Sequence, residues 1–164
     1  MTSSIEQLAA RIQAIVFDVD GVLTRGDIIY GPDGEWKVFN AHDGHGFALA
    51  RKAGIRLILL SGRASDAVKR RAKELKVDVL AEGVEDKADA LRQILEKSGL
   101  NADQVCYVGD DLVDLPAMRM VGLPAAVANA VDAVKQAAAL VTERRGGEGA
   151  AREVIDFVLK VKGY

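Results

Sequence analysis

The sequence has a single cysteine, almost no net charge and no long apolar run. With only Cys106 among 164 residues, an internal disulfide is excluded, and its place in an apolar run predicts a core residue. The balance of 22 Lys and Arg against 24 Asp and Glu argues against a nucleic-acid partner, which would require a basic excess. No stretch approaches the roughly 20 apolar residues of a membrane span. Residues 1–11 lack a signal peptide's apolar core, so we expect a soluble, cytoplasmic protein without a membrane partner.

No internal repeat, low-complexity tract or linker interrupts the chain, so we expect one domain over residues 1–164. Short apolar runs rich in Val, Ile and Leu alternate with helical patterns, as in strands buried on both faces of a sheet. Strands are predicted at residues 12–17, 55–60, 77–80, 105–108, 125–127 and 140–141. Helices are predicted at residues 43–53, 64–75, 84–98, 115–121, 131–138 and 150–161.

This alternation predicts an α/β fold, a doubly wound Rossmann-like parallel sheet with right-handed crossovers. Residues 27–39 break it, because two short strand patterns flank Gly31-Pro32-Asp33-Gly34 and indicate a β-hairpin. Ligands of such sheets bind at the carboxyl ends of the strands. Since Asp18, Ser61 and Asp110 each directly follow a strand candidate, we expect them at one edge, beneath the hairpin.

Asp18 and Asp20 follow the first strand candidate and precede Gly21. Two carboxylates crowded at a strand end are costly unless a cation or a proton offsets their charge. In the functional interpretation, Asp18 attacks phosphorus and forms an aspartyl-phosphate, while Asp20 protonates the leaving oxygen and then deprotonates the attacking water. The alternative is a pair of carboxylates that cap a turn.

A second acidic cluster, Asp110, Asp111 and Asp114, follows the fourth strand candidate. Two clusters at one sheet edge offer the hard oxygen ligands that Mg²⁺ prefers. We expect Asp18, the backbone carbonyl of Asp20 and Asp110 to bind the ion directly. Asp111 and Asp114 are expected to orient those ligands without touching the ion.

Ser61 and Lys87 are the remaining candidates for the reaction. The Ser61 hydroxyl can donate to a phosphoryl oxygen, next to the N-terminus of the helix predicted at 64–75; the alternative is a simple helix cap. Lys87 stands early in the helix predicted at 84–98, where its charge can offset phosphate and carboxylates; the alternative is a solvated surface lysine.

The order Asp-x-Asp-Gly-Val, Ser-Gly-Arg, a lysine and Gly-Asp-Asp-x-x-Asp resembles the haloacid dehalogenase superfamily of phosphotransferases. Over residues 13–158 the chain further resembles the family of 3-deoxy-D-manno-octulosonate 8-phosphate phosphatases. The segments that carry this second resemblance are Asp18-Val19-Asp20-Gly21-Val22-Leu23, the hairpin leading into Val38-Phe39-Asn40, Asp43-Gly44, Gly109-Asp110-Asp111 and the glycine-rich tail, Gly146-Gly147-x-Gly149-Ala150-x-Arg152-Glu153-Val154.

The resemblance implies a Mg²⁺-dependent phosphatase of lipopolysaccharide biosynthesis, with the hairpin in place of a cap domain. It implies a homotetramer whose neighbouring subunits complete the cover of each active site, and a tail at about residues 144–149 followed by a helix. The implied substrate is a phosphorylated sugar acid, first of all 3-deoxy-D-manno-octulosonate 8-phosphate. The residues implied to contact it are Asn40, His42, Asp43, Gly44, Arg63, Arg71 and Lys87.

Two positions depart from the family pattern, since Ala48 and Glu148 stand where arginine is usual. Because both changes remove positive charge, a nine-carbon sugar-acid 9-phosphate or another small phosphosugar is an alternative substrate. A phosphomutase with the same intermediate is a further alternative. A different class is a non-catalytic assembly module, related to domains attached to sugar-nucleotide synthetases.

The remaining candidates are a pair of arginines and a pair of aromatic residues. Arg63 and Arg71 are near two helical turns apart, so we expect them on one face of a helical region, where arginine suits a carboxylate or phosphate. Trp36 and Phe39 lie on the hairpin. Exposure of these aromatic residues would indicate a subunit contact, and the alternative is packing against their own domain.

Overall fold

The computed structural model describes residues 4–164 and contains a parallel sheet with helices packed on it. The strands are β1 (Ala14–Phe17), β2 (Ile29–Gly31), β3 (Gly34–Trp36), β4 (Arg56–Leu60), β5 (Val79–Ala81), β6 (Val105–Gly109), β7 (Leu123–Ala126) and β8 (Leu140–Val141). The α-helices are α1 (Ile5–Ala10), α2 (Ala41–Lys52), α3 (Asp66–Leu75), α4 (Lys87–Ser98), α5 (Leu115–Met118), α6 (Asp132–Ala137) and α7 (Ala150–Val161). Short 3₁₀ turns precede β6 and α5.

The main sheet has the strand order β5-β4-β1-β6-β7-β8, and all of its pairs are parallel. This topology confirms the predicted doubly wound α/β fold. β2 and β3 pair separately as the antiparallel hairpin predicted between the first strand and the first sheet-connecting helix. Helix α2 packs against α3 and α7, and α5 packs against α4 and α6.

The two central strands carry the core. Every residue of β1 and β6 is buried, as their continuous apolar sequence predicts for strands covered on both faces. Cys106 is fully buried in β6, and burial raises the pKa of its thiol well above the ordinary value, so it is a packing residue as predicted. No helix in the described part of the chain is long and apolar enough to cross a membrane.

The structure adds one helix and moves several predicted boundaries. The short helix α1 was not predicted; Ser4 begins it through a capping box with Gln7. β1 begins at Ala14 rather than residue 12, because the amide of Ile12 donates to the Ala9 carbonyl in the turn after α1. α4 begins at Lys87 rather than residue 84, because the Asp86 side chain caps its first turn.

The strand order fixes where a ligand can bind. From β1 the chain proceeds outward to β4 and β5, then returns to the other side of β1 to form β6, β7 and β8. The strand order therefore switches direction between β1 and β6, and the crevice at such a switch point is where open α/β sheets bind ligands. Asp18 directly follows β1 and Asp110 directly follows β6, so both lie at this crevice.

Candidate active site

The carboxyl end of β1 holds Asp18 rigidly. Its amide donates to the Val108 carbonyl at 3.1 Å, which continues the pairing of β1 with β6. The Asp18 Oδ1 accepts from the Val19 amide at 2.7 Å and lies 2.9 Å from the Nζ of Lys87. The side chain is almost fully buried, so backbone and ion pair together fix its orientation.

Three carboxylates meet at this edge of the sheet. Asp18, Asp110 and Asp114 each present an oxygen, and these oxygens all lie within 4.8 Å of one another. Asp114 is completely buried and accepts hydrogen bonds from Lys87 Nζ at 2.8 Å, Tyr107 Oη at 2.7 Å and the Asp110 amide at 3.0 Å. Asp110 Oδ1, by contrast, is buried without a hydrogen-bond partner. Asp114 thus orients the cluster, whereas Asp110 retains a free ligand atom.

Burial and mutual repulsion raise the pKa values of two of these carboxyl groups. Burial, followed by repulsion from Asp114, raises the pKa of Asp18 to about 6 despite the nearby Lys87. Burial, followed by repulsion from Asp18, raises the pKa of Asp110 to about 8. Carboxylates that repel each other in a buried site and leave an oxygen unpartnered are a suitable donor set for a hard divalent cation. The residues therefore fit Mg²⁺.

Gly21 allows this close approach. Its φ of +87° lies in the left-handed region, and a Cβ at this position would overlap the Asp110 carboxylate. The Thr24 hydroxyl supports the same loop by accepting from the Gly21 amide at 3.3 Å and the Gly26 amide at 3.2 Å. The glycine of the Asp-x-Asp-Gly motif is therefore required by the backbone conformation and by the close approach of Asp110, in addition to the chemistry of the two aspartates.

Lys87 and Ser61 are both buried. Burial excludes the alternative of a solvated surface lysine for Lys87. Lys87 is the first residue of α4, and its ammonium bridges Asp18 and Asp114. The Ser61 Oγ donates to the Arg63 carbonyl at 2.9 Å and accepts from the Arg63 amide at 3.3 Å. The capping alternative for Ser61 is wrong: Ser65 occupies the N-cap of α3, which begins at Asp66 rather than residue 64.

A cleft of about 300 Å³ opens above these residues. Its charged lining consists of Asp18, Asp20, Arg63, Glu85, Lys87, Asp110 and Asp111. Asp111 is exposed and bonds the Leu112 amide at 2.7 Å through its own side chain, so it caps the following turn. The structure thus brings the predicted Asp18, Asp20, Lys87 and Asp110 to one cleft.

Arg63 and Arg71 do not share a helix. Arg63 precedes α3 and extends to Glu35 of the hairpin, at 2.8 Å. Arg71 lies within α3, with its guanidinium 5.5 Å from the centre of the Phe39 ring and its NH2 3.4 Å from the Asn40 carbonyl. The expectation of one helical face is wrong, because the segment 61–65 is an irregular bend that places Arg63 outside the helix.

The other residues implied to bind substrate cluster around the start of α2. The Asn40 side chain caps this helix by accepting from the His42 and Asp43 amides, and His42 is exposed. Asp43 is buried, and burial raises its pKa although it accepts from the Arg152 amide of α7 at 2.8 Å. A Cβ on Gly44 would lie 2.5 Å from an Arg71 nitrogen. Asn40 and Asp43 therefore have structural partners within this chain.

Sequence reasoning missed Lys37, Glu35 and Tyr107. Lys37 contacts Asp20 Oδ1 at 2.6 Å, and Glu35 contacts both Lys37 and Arg63. The two-residue spacing of Glu35 and Lys37 was an available signal, because alternate strand residues face the same side. No sequence signal marked Tyr107, which lies within a continuous apolar run.

A parallel sheet with a switch-point cleft, a buried Asp-x-Asp loop and a lysine bridging two carboxylates defines a hydrolase of the haloacid dehalogenase class. A family model described as haloacid dehalogenase-like hydrolase matches residues 77–154. The 3-deoxy-D-manno-octulosonate 8-phosphate phosphatase of Escherichia coli K12 is 40% identical over 156 residues, which cover 94% of this chain and 83% of that protein.

Solved structures agree with this assignment. A probable phosphatase of the YrbI family from Pseudomonas syringae superposes with a TM-score of 0.94 at 44% identity, covering 97% of this chain and 91% of that one. The 3-deoxy-D-manno-octulosonate 8-phosphate phosphatase of Moraxella catarrhalis was solved with magnesium ion, phosphate ion and KDO. It has a TM-score of 0.94 at 39% identity, and the match covers 96% of this chain and 91% of that one. The chain belongs to the family of 3-deoxy-D-manno-octulosonate 8-phosphate phosphatases.

Proposed function

We propose that this chain hydrolyses 3-deoxy-D-manno-octulosonate 8-phosphate, with Mg²⁺ as cofactor, through an aspartyl-phosphate intermediate. The observation that carries this proposal is the buried Asp18 carboxylate, held by Lys87 beside Asp110 and Asp114 at the switch point of the sheet. A relative with 40% identity is named for this phosphatase activity, and the structure of another relative contains magnesium, phosphate and KDO. We take residues 1–164 to act as one domain, with the hairpin as the only insert we assign.

In the proposed reaction, an oxygen of Asp18 attacks phosphorus in line, and the sugar alcohol leaves with a proton from Asp20. Asp20 then deprotonates the water that cleaves the aspartyl-phosphate. Lys87 offsets the charge of the transferring group from one side. The Ser61 hydroxyl, which donates to the Arg63 carbonyl in this structure, would turn to donate to one of the phosphoryl oxygens. Asp18, Asp110 and the Asp20 carbonyl would hold Mg²⁺, which supplies charge neutralisation for the phosphoryl oxygens.

We propose that the sugar-acid part of the substrate is bound by Arg63, Arg71 and the segment 40–44. A second cleft of about 500 Å³, lined by Lys37, Phe39 and Arg71, lies next to this segment. Arginine pairs bidentately with carboxylate, the group that distinguishes a sugar acid from a neutral sugar. Glu148, where the family usually has arginine, is exposed and lies 3.7 Å from Arg25.

The test is phosphate release from a panel of purified phosphosugars, with and without Mg²⁺. We expect the highest kcat/KM for 3-deoxy-D-manno-octulosonate 8-phosphate. A preference for a nine-carbon sugar-acid 9-phosphate would mean that Ala48 and Glu148 have redirected specificity. No release from any phosphosugar with Mg²⁺ would favour the non-catalytic assembly module instead, and phosphate transfer to a second sugar would favour a mutase.

We also propose a cytoplasmic homotetramer in which neighbouring subunits cover each cleft. The hairpin supports this proposal, because the face opposite to Glu35 is apolar and exposed: Val38 is 66% exposed, Trp36 55% and Ile29, which pairs with Trp36, 37%. Contiguous exposed apolar groups of this kind are typical of protein interfaces. The Trp36 ring packs over Gly31 of its own hairpin and is otherwise exposed, whereas Phe39 is partly buried against the core.

A further inference from the structure

A buried cation joins the hairpin to the acidic loop. The Nζ of Lys37 lies 2.6 Å from Asp20 Oδ1 and 3.1 Å from Glu35 Oε1, and only 2% of the Lys37 side chain is exposed. The second oxygen of Glu35 accepts from Arg63 NH2 at 2.8 Å. Asp20, Lys37, Glu35 and Arg63 therefore form one chain of charge-assisted hydrogen bonds, which runs from the general acid to the rim of the cleft.

The hairpin is built to present this lysine inward. From Glu35 to Phe39 burial alternates: Glu35, Lys37 and Phe39 face the body of the protein, whereas Trp36 and Val38 are exposed. An ammonium group is removed from water only at a high cost, which partners must offset. Burial alone would lower the pKa of Lys37, but hydrogen bonds to Asp20 and Glu35 raise it above the ordinary value, so the group stays charged.

We infer that Lys37 is a positioning residue for proton transfer, which fixes the Asp20 carboxyl group so that its free oxygen exchanges the proton with the leaving group. This inference rests on the proposed phosphatase function. The ammonium group occupies Oδ1 of Asp20, so Oδ2 is left to carry the proton. As a bond forms between Asp18 and phosphorus, the bond from phosphorus to the sugar oxygen breaks, and the Asp20 proton moves to that oxygen.

This role differs from that of Lys87. Lys87 contacts the nucleophile Asp18 and the orienting Asp114, so its loss affects phosphoryl transfer whatever group leaves. Lys37 contacts the general acid and Glu35. Removal of Lys37 should therefore lower the rate more strongly for a leaving group that must be protonated than for one that need not be. A sugar alkoxide is a poor leaving group and needs that proton, whereas nitrophenolate leaves without it.

The experiment compares two substrates in wild-type protein and Lys37→Met. The measured quantity is kcat/KM, which includes only the steps up to departure of the leaving group and so omits hydrolysis of the intermediate. General acid catalysis contributes about 10²–10⁴-fold, so we expect a loss of about 100-fold on the sugar-acid phosphate. On p-nitrophenyl phosphate we expect a loss below about fivefold.

Three further variants serve as controls. Lys37→Arg keeps a cation near Asp20 and should restore most of the lost rate on the sugar-acid phosphate. Glu35→Gln weakens the contacts to both Lys37 and Arg63, so its kcat rather than its KM is compared. We expect the same substrate dependence in kcat with a smaller loss, which provides the test if Lys37→Met does not fold. Lys97→Met removes an exposed lysine of α4 and should change neither rate.

The outcomes separate the inference from the proposed function. Equal losses on both substrates would show that Lys37 acts on the phosphoryl group, and a loss on the sugar-acid phosphate that is only an increase in KM would show that Lys37 binds the sugar. Either result would overturn the inference while the phosphatase stands. If wild-type protein releases no phosphate from either substrate with Mg²⁺, the proposed function fails and the inference fails with it. A loss that is confined to the sugar-acid phosphate and appears in kcat, with KM little changed, supports both.

Discussion

Lys87 illustrates how single residues maintain this site. Its ammonium group is buried between two carboxylates, at 2.9 Å from Asp18 and 2.8 Å from Asp114. Removing one member of a buried ion network leaves the remaining charge without compensation, at a cost of about 3–5 kcal/mol. The same residue thus compensates the buried charges and has a proposed role in the chemistry, and mutations can be used to separate the two.

For Lys87→Met we expect the free energy of unfolding at neutral pH to fall by about 3–5 kcal/mol, because Asp18 and Asp114 lose their counter-charge. Urea denaturation of the two proteins measures the difference. Lys97→Met, on the exposed face of the same helix, should stay within about 0.5 kcal/mol of wild type. A Lys87→Met protein as stable as wild type would show that the buried network contributes little to folding.

For Asp18→Asn we expect phosphate release to fall at least about a thousandfold, because an amide cannot form the aspartyl-phosphate. The substitution also removes one of three crowded carboxylates, so the melting temperature without Mg²⁺ should equal or exceed that of wild type. Phosphate release and thermal unfolding of the same preparation test both statements. A well-folded Asp18→Asn protein with substantial turnover contradicts the nucleophile assignment.

For the metal site we expect Mg²⁺ to stabilise the wild-type protein against unfolding, by about 2.7 kcal/mol at a hundred times its dissociation constant. The free oxygen of Asp110 is a proposed ligand, so Asp110→Asn should lose most of this gain. Thermal unfolding with EDTA and with Mg²⁺ measures the effect without relying on turnover. An unchanged gain in Asp110→Asn would remove Asp110 from the ligand set.

Among the elements, the glycine-rich tail has the least obvious role from sequence. Gly146 packs against the backbone of Gly21, and the Gly147 amide donates to the Val22 carbonyl at 3.0 Å. The Gly146 amide itself donates to the Asn129 side chain at 2.9 Å. The tail therefore supports the acidic loop of its own subunit from outside, which no periodicity in the sequence indicates.

For Gly146→Ala we expect the tail to be displaced, because a Cβ here would overlap the Gly21 carbonyl oxygen. Overpacking of this kind costs about 1–3 kcal/mol of stability, and kcat should fall as the acidic loop shifts. Gly54→Ala is the matched control: its site is open but has a φ of +78°, so it should lose stability without losing kcat. Equal kcat values in the two variants would contradict this role.

At the scale of the whole molecule, the hairpin separates two functions on its two faces. The inward face carries Glu35 and Lys37 to the cleft, and the outward face carries Trp36 and Val38 into solvent. With only a hairpin above the cleft, a further cover would limit the access of bulk solvent to the bound substrate. Association through the outward face would supply that cover.

For the double variant Trp36→Asp and Val38→Asp we expect a shift from the proposed tetramer to smaller species, because charge in an interface core opposes association. Light scattering after size exclusion measures the mass. Val141→Asp, an exposed apolar residue at the edge strand β8, is the control and should leave the mass unchanged. A wild-type monomer, or a tetramer that persists in the double variant, contradicts the proposed interface.

The sequence by itself determined the fold class, the order of the strands along the chain and the position of Asp18, Ser61 and Asp110 directly after strands that end at one edge. These follow from local patterns, because buried runs define parallel strands and parallel strands end together. Only the tertiary structure decided that Arg63 reaches the hairpin instead of sharing a helix with Arg71, that Lys37 holds Asp20, and that Gly146 packs on Gly21. Those contacts join segments far apart in sequence, and their geometry depends on how loops bend and pack, which no local periodicity specifies.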